Sequence, residues 1–193
     1  MTRQPPFELK VAAEGKEFKY KTSTKKEIRM AYRACHRLLK KGNYSARESI
    51  LKQLYQWQEV TEQGRFSHRS LNTKEIEKMA QSKSAVVGAH SHTHSCLARL
   101  SYQEQMDEIK KSKTILENKI SRKITHFAYP FGGQSDFNDD TVRIVKELGF
   151  EMVFANVYGQ AHKWTDNFRV PRILVRNWDF DAFQKKLEQF FKF

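Results

Sequence analysis

The sequence predicts an α/β domain built on parallel strands, as a barrel or an open sheet, preceded by a β-hairpin and a pair of helices. Three observations carry this. From residue 72 onward, stretches with helical spacing alternate with short apolar runs. Four polar start signals, beginning at Thr24, Ser45, Asn72 and Ser101, each end in a glutamate three residues on and precede a periodic apolar stretch. Before residue 72 the rhythm differs, with two alternating segments followed by two strongly basic helical patterns.

Taken in order, Glu8–Ala13 and Phe18–Lys21 alternate apolar and polar residues around Glu14-Gly15-Lys16, which reads as a hairpin. Two strands alone are marginal, so the hairpin must pack on something. Thr24 and Glu27 form a capping box for a helix whose apolar positions are Ile28, Ala31, Tyr32, Cys35, Leu38 and Leu39, ending at Lys41-Gly42. Ser45 opens a second helix carrying Ile50, Leu51, Leu54, Tyr55 and Trp57, and Gly64–Leu71 reads as a linker. The expected division is therefore 1–70, hairpin plus basic helical subdomain, and 71–193, α/β domain.

The second part begins with a short helix from Asn72 through Ala80. A buried strand over residues 84–89 follows, then a helix from Ser101 to about Ile120 with Met106, Ile109, Ile115 and Leu116 as its stripe. Thr125–Tyr129 reads as a strand and Pro130–Gly133 as a turn. Residues 139–148 read as a helix stopped by Gly149, 150–155 and 170–175 as strands, and 179–191 as a final amphipathic helix.

Composition bounds the class. Of 193 residues 39% are hydrophobic, with 14 Phe, 7 Tyr and 3 Trp, enough to build a core and to exclude a disordered chain. No apolar run reaches membrane-spanning length, and Met1–Pro6 lacks the apolar core of a signal peptide, so the expectation is a cytoplasmic chain without a membrane span. Cys35 and Cys96 fit reduced thiols in such a compartment. Net charge is +13, and residues 1–70 supply 16 Lys+Arg against 7 Asp+Glu. A basic face of this kind attracts polyanions, but no nucleic-acid-binding motif accompanies it, and no nucleic-acid partner is expected.

The chemistry concentrates in residues 86–97, V-V-G-A-H-S-H-T-H-S-C-L. Three of seven histidines, His90, His92 and His94, follow an apolar run. Neutral imidazole is the commonest ligand of zinc and similar divalent ions. On an extended segment alternate residues share a face; on a helix His90 and His94 lie one turn apart; either way two ligands converge. His90 and His94 are therefore the candidate metal ligands. Cys96 is read as packing under the next helix. One βα unit later, Phe127-Ala-Tyr-Pro-Phe-Gly-Gly133 forms a loop in which Pro130 fixes one angle and the glycines allow a tight turn. Such a loop can aim the Phe131 backbone N–H at an oxyanion, with aromatic rings lining a sugar-sized cleft.

With these pieces in view, G-A-H-S-H-T-H-S-C-L at 88–97, F-A-Y-P-F-G at 127–132, and the later V-P-R-I and N-W-D pieces resemble the polysaccharide deacetylases of the NodB-homology group, carbohydrate esterase family four. The resemblance covers about Leu71 to the C-terminus. It implies a deformed (β/α) barrel, incomplete in this chain, and a divalent metal, zinc in most of the family. It further implies metal-dependent hydrolysis of N- or O-acetyl groups on a carbohydrate. His90-Ser91-x-x-His94 matches the family's H-[ST]-x-x-H metal motif, and Phe131 occupies the aromatic position of R-x-P-[FY], with Ala128 where that motif has arginine. Tyr129 and Arg172 are the candidate substrate-binding residues. The family's T-F-D-D motif, which supplies a metal aspartate and a general base, has no counterpart, nor has its late L-x-H; Asp139-Asp140 is the one Asp pair and stands at a helix start. The general base is thus unassigned. The resemblance implies a partner chain that supplies the missing front, or an inactive glycan-binding scaffold.

Overall fold

Glu14 and Gly15 lie at φ 52° and 74°, the left-handed pair that lets a two-residue turn match the twist of its flanking strands. They join β1 (Glu8–Ala13) to β2 (Lys16–Lys21), antiparallel, with Val11 opposite Phe18 and Leu9 opposite Tyr20. The computed structural model describes residues 7–60 and 66–191. Met1–Pro6, read above for a leader, and residues 64–65 of the expected linker lie outside the described residues. The chain divides into two units, Met1–Asn72 and Thr73–Phe193.

In the first unit the hairpin turns Leu9 and Val11 inward against α1 (Lys25–Lys41) and α2 (Tyr44–Gln58), where Ala31, Cys35 and Ile50 complete a small core. Both halves of the Thr24–Glu27 capping box form. The second helix starts two residues earlier than its sequence signal. Asn43, not Ser45, is the cap, and its Oδ1 accepts the Ala46 N–H at 2.9 Å. Two α2 side chains fasten the hairpin edge: Gln53 bonds both N–H and C=O of Ala12, and Trp57 Nε1 donates to the Glu8 carbonyl. These satisfy backbone groups that an isolated strand leaves open.

The second unit contains α3 (Thr73–Gln81), α4 (Tyr102–Ile120), β3 (His126–Ala128), α5 (Asp139–Glu147), β4 (Met152–Phe154) and α6 (Phe180–Phe190). β3 and β4 pair in parallel with Phe127 opposite Val153. Ala89 bridges Phe127 on one side and Val170 bridges Phe154 on the other, both parallel. Four chain segments therefore run side by side in the order 84–89, β3, β4, 170–175. On one face Ala89, Phe127 and Val153 are buried with Ile109 of α4 and Ile144 and Val145 of α5. On the other His126, Ala128, Met152 and Phe154 are only half-buried.

The outer segments depart from expectation. The predicted strand over 84–89 contracts to one bridge at Ala89, and Val86 is 73% exposed where the apolar run suggested burial. The strand over 170–175 likewise contracts to Val170. Among the described residues each outer segment has a neighbour on one side only, and a ladder with a single partner propagates poorly. The α/β order stands, but among the described residues the row remains open and no barrel is closed. Cys35 and Cys96 are buried and unbridged, and burial pushes the Cys35 thiol above its ordinary range. No helix among the described residues is long and apolar enough to cross a membrane.

Candidate active site

Each of the four parallel segments delivers a named group just past its C-terminal end, the edge where open α/β sheets and barrels carry their chemistry. His90 follows Ala89, Phe131 follows β3, Asn156 follows β4, and Arg172 follows Val170. His90 Nδ1 lies 2.6 Å from the Ala128 carbonyl oxygen. A carbonyl only accepts, so Nδ1 carries a proton, and in the neutral ring the lone pair is then on Nε2, the tautomer of a metal-binding imidazole. The His94 ring stands edge-on to His90, centroids 4.8 Å apart, and Phe131 packs edge-on against His94 at 4.7 Å.

The histidines converge by neither route that the spacing offered. Ser91 and His94 sit at φ 60° and 57°, so the chain doubles back through two left-handed residues instead of extending or coiling. Phe131, at φ 61°, centres a three-residue turn closed by Gly132 N–H donating to the Pro130 carbonyl. Turns of this hand are rare and strained. Three of the six non-glycine residues at positive φ among the described residues are thus at this one place. Each costs on the order of 1–3 kcal/mol and persists only where its surroundings impose it.

Those surroundings are visible. Glu108 of α4 accepts from the His92 N–H, the Thr93 N–H and the Thr93 hydroxyl, at 3.2, 2.9 and 2.7 Å, and so clamps the histidine loop. Buried Asp136 accepts the Gly133 N–H at 3.0 Å, and Asn156 N–H donates to the Gly132 carbonyl at 2.8 Å, clamping the Phe131 loop. The sequence signalled none of these three: Glu108 reads as an ordinary polar helix position, and Asp136 and Asn156 as loop residues.

Of the expected substrate-binding pair, Tyr129 must be reassigned. Its ring is fully buried, stacked on Phe137 at 3.9 Å, and its hydroxyl donates to the Phe168 carbonyl at 2.9 Å. It is the strand's inward-facing core residue, one register step from the half-buried face. Arg172 is exposed, with Nε donating to the Ala155 carbonyl at 3.0 Å, which holds it over the end of β4. His92 is exposed and makes no ring contact with His90 or His94 among the described residues. Asp139 and Asp140, at the α5 N-terminus, pair with Arg169 and Arg143 and do not approach the histidines as ligands.

As a metal site the residues fit in part. Two imidazoles of suitable geometry stand together, and beside them Ser91 Oγ is buried without a hydrogen-bond partner among the described residues. Yet no group of three His, Cys, Asp or Glu side chains able to hold an ion occurs among the described residues. Zinc sites take at least three protein ligands; the set is short of one.

Comparison with known proteins places the chain in a family. A family model for polysaccharide deacetylases matches residues 32–153. A poly-β-1,6-N-acetyl-D-glucosamine N-deacetylase of Staphylococcus epidermidis is 27% identical over 127 residues, 62% of this chain and 42% of that protein. The chain therefore spans less than half the length of that curated relative. Among solved structures, the Streptococcus pyogenes deacetylase PplD in complex with acetate superposes with a TM-score of 0.55 at 24% identity, covering 66% of this chain and 53% of that one. The BpsB deacetylase domain of Bordetella bronchiseptica gives 0.50 at 17% identity, covering 54% and 49%. At these identities the likeness is one of fold.

Proposed function

The chain belongs to the polysaccharide deacetylase family, and from that premise we propose that it is a hydrolase removing N- or O-linked acetyl groups from a carbohydrate. The observation that carries the reading is the contact of His90, His94 and Phe131 at the C-terminal edge of the parallel row. The 27% identical relative is a poly-β-1,6-N-acetyl-D-glucosamine N-deacetylase, so an N-acetylated glucosamine polymer is the substrate to test first. In this reading the four-segment row is the incomplete part of a deformed (β/α) barrel.

His90 and His94 would hold a divalent cation, zinc by the family resemblance. Such an ion supplies Lewis acidity toward an acetyl carbonyl and acidifies water. The chain's own residues do the rest. The Ala128 carbonyl fixes the His90 tautomer, Glu108 holds the loop, and the strained turn at Phe131 presents its backbone N–H as oxyanion donor. Arg172 lies over the end of β4, where it can orient the sugar. The third ligand and the general base are assigned to two carboxylates outside the described residues, supplied by a partner chain. The large exposed apolar side chains of this unit, among them Val86, Tyr158, Trp164 and Phe180, each 73–77% exposed, support such a partner.

The test is acetate release from N-acetylglucosamine oligomers by the purified chain with added zinc, beside His90→Ala/His94→Ala. Release that falls to background in the double variant is expected. Oligomer binding without release, with or without metal, would instead support an inactive glycan-binding scaffold, a reading favoured by the lack of a third ligand among the described residues.

A further inference from the structure

α1 carries seven lysines and arginines against one acid, Glu27. Lys25, Arg29, Arg33, Arg37 and Lys41 recur every fourth residue and are all exposed. They form one ridge about 24 Å long at the rise of an α-helix. Like charges at this spacing weaken a helix. The helix forms because its opposite face buries Ala31 and Cys35 on the hairpin. Among the described residues no carboxylate pairs with Lys25, Arg29, Arg33 or Arg37.

Two depressions adjoin on this surface. One, of about 470 Å³, is lined by Lys25, Lys26, Arg29, Met30 and Arg33. The other, of about 460 Å³, lies between β2 and α1, adds Lys19 and Lys21, and shares Lys26 and Met30 with the first. Met30 and Tyr32 are 60% and 68% exposed beside the cations. Concave, cationic and floored by an apolar side chain, the surface suits a sugar ring that carries a negative charge.

We propose that the outward face of α1, centred on Arg29 and Arg33, binds an acidic linear polysaccharide with a carboxylate or phosphate on its repeat. The ridge winds by about 40° per step, so a flat bilayer or a stiff duplex meets only part of it, whereas a flexible chain follows it throughout. The choice of a glycan over other flexible polyanions rests on the family reading above. Binding is measured without turnover, so failure of hydrolysis and failure of this site are separate results.

The test uses the full chain and three proteins: wild type, Arg29→Glu/Arg33→Glu, and Lys110→Glu/Lys111→Glu, which makes the same charge change on exposed positions of α4. Probes are polygalacturonate, neutral dextran, single-stranded DNA and phosphatidylglycerol vesicles. Polygalacturonate binding should fall at least tenfold in R29E/R33E and stay within twofold in K110E/K111E, with dextran ignored by all. Should R29E/R33E fold poorly, Arg29→Gln/Arg33→Gln, which only neutralises the pair, should still lose at least threefold. Equal losses in both reversed variants would reduce the effect to net charge and overturn the proposal. Unchanged binding in R29E/R33E, or tighter binding of DNA or vesicles than of polygalacturonate, would overturn it too.

Discussion

The His90 ring and the Ala128 carbonyl, 2.6 Å apart across neighbouring parallel segments, link the histidine loop to the end of β3. The bond spans 38 positions of sequence, fixes which imidazole nitrogen is basic, and sets the ring before any ion arrives. Calorimetry of the purified chain with zinc should therefore give one-to-one binding that disappears in His90→Ala/His94→Ala. With two imidazoles and no third ligand among the described residues, the affinity should fall well short of a closed structural zinc site. Binding that survives in the double variant would place the ion elsewhere.

Glu108 positions that loop without touching the rings. Removing its carboxylate takes away the acceptor shared by the His92 N–H, the Thr93 N–H and the Thr93 hydroxyl. Glu108→Ala should cost about 1–3 kcal/mol and weaken zinc binding by roughly 10–100-fold, the usual effect of losing an outer-shell partner. Glu108→Gln, which keeps an acceptor, should recover much of both. If zinc affinity is unmoved while the melting temperature drops, Glu108 is structural only.

Much of this architecture was legible beforehand because it is local. The Thr24–Glu27 and Ser101–Glu104 boxes both form, since cap, third residue and apolar stripe lie within a few positions. The hairpin was legible for the same reason, from Glu14-Gly15. What the sequence could not show is set by neighbours far along the chain. Val86 sits in a run that looks buried, yet exposure depends on whether another segment lies across it. Tyr129 looked like a cleft residue because it adjoins the Pro130–Gly133 loop. Its fate is decided by Phe137 stacking on it and by the Phe168 carbonyl, 39 residues away. The histidine pair was legible as chemistry, but its left-handed approach through Ser91 and His94 was not, because serine does not advertise positive φ and the enrichment of histidine there does not single out one of three neighbouring histidines.

The reassignment of Tyr129 has a direct check. Tyr129→Phe keeps the stacked ring and deletes one hydrogen bond, leaving the Phe168 carbonyl unpaired. It should cost about 1–2 kcal/mol in urea denaturation and leave glycan binding unchanged. Tyr129→Ala opens a cavity in the core and should cost about 3–5 kcal/mol. A Tyr129→Phe variant of native stability but weakened glycan affinity would return the residue to the cleft.

Two glycines of the second unit share a backbone angle but not an environment. Gly132 and Gly149 lie at φ 75° and 73°, but a Cβ on Gly132 would stand 2.7 Å from the Asn156 nitrogen, whereas one on Gly149 meets nothing within 4 Å. Gly149→Ala should cost only the left-handed backbone penalty, about 1 kcal/mol. Gly132→Ala adds overpacking worth about 1–3 kcal/mol and must displace the Asn156 amide. Equal denaturation midpoints for the two variants would show that the Phe131 loop yields freely, and its strained turn would then carry no weight as a preset oxyanion donor.

The acid limb of stability should run through Glu117. Burial raises its pKa, but the Ile124 N–H at 2.9 Å and Lys113 Nζ at 2.9 Å outweigh that, and the carboxyl ends below its ordinary range. A carboxylate depressed in the folded state binds its proton more readily when unfolded. Its contribution is therefore complete above the ordinary glutamate pKa and is lost as pH falls through the lowered folded value. Lys113 also lies over the Phe150 ring at 4.8 Å, so the pair joins the end of α4 to a residue two positions before β4. Glu117→Gln should lower the denaturation midpoint at neutral pH, by about 1.5–3 kcal/mol for a lost charge-assisted bond. It should also flatten the decline that begins below the ordinary glutamate pKa. A variant whose stability falls with acid as steeply as wild type would assign that decline to other carboxylates and leave Glu117 a minor anchor.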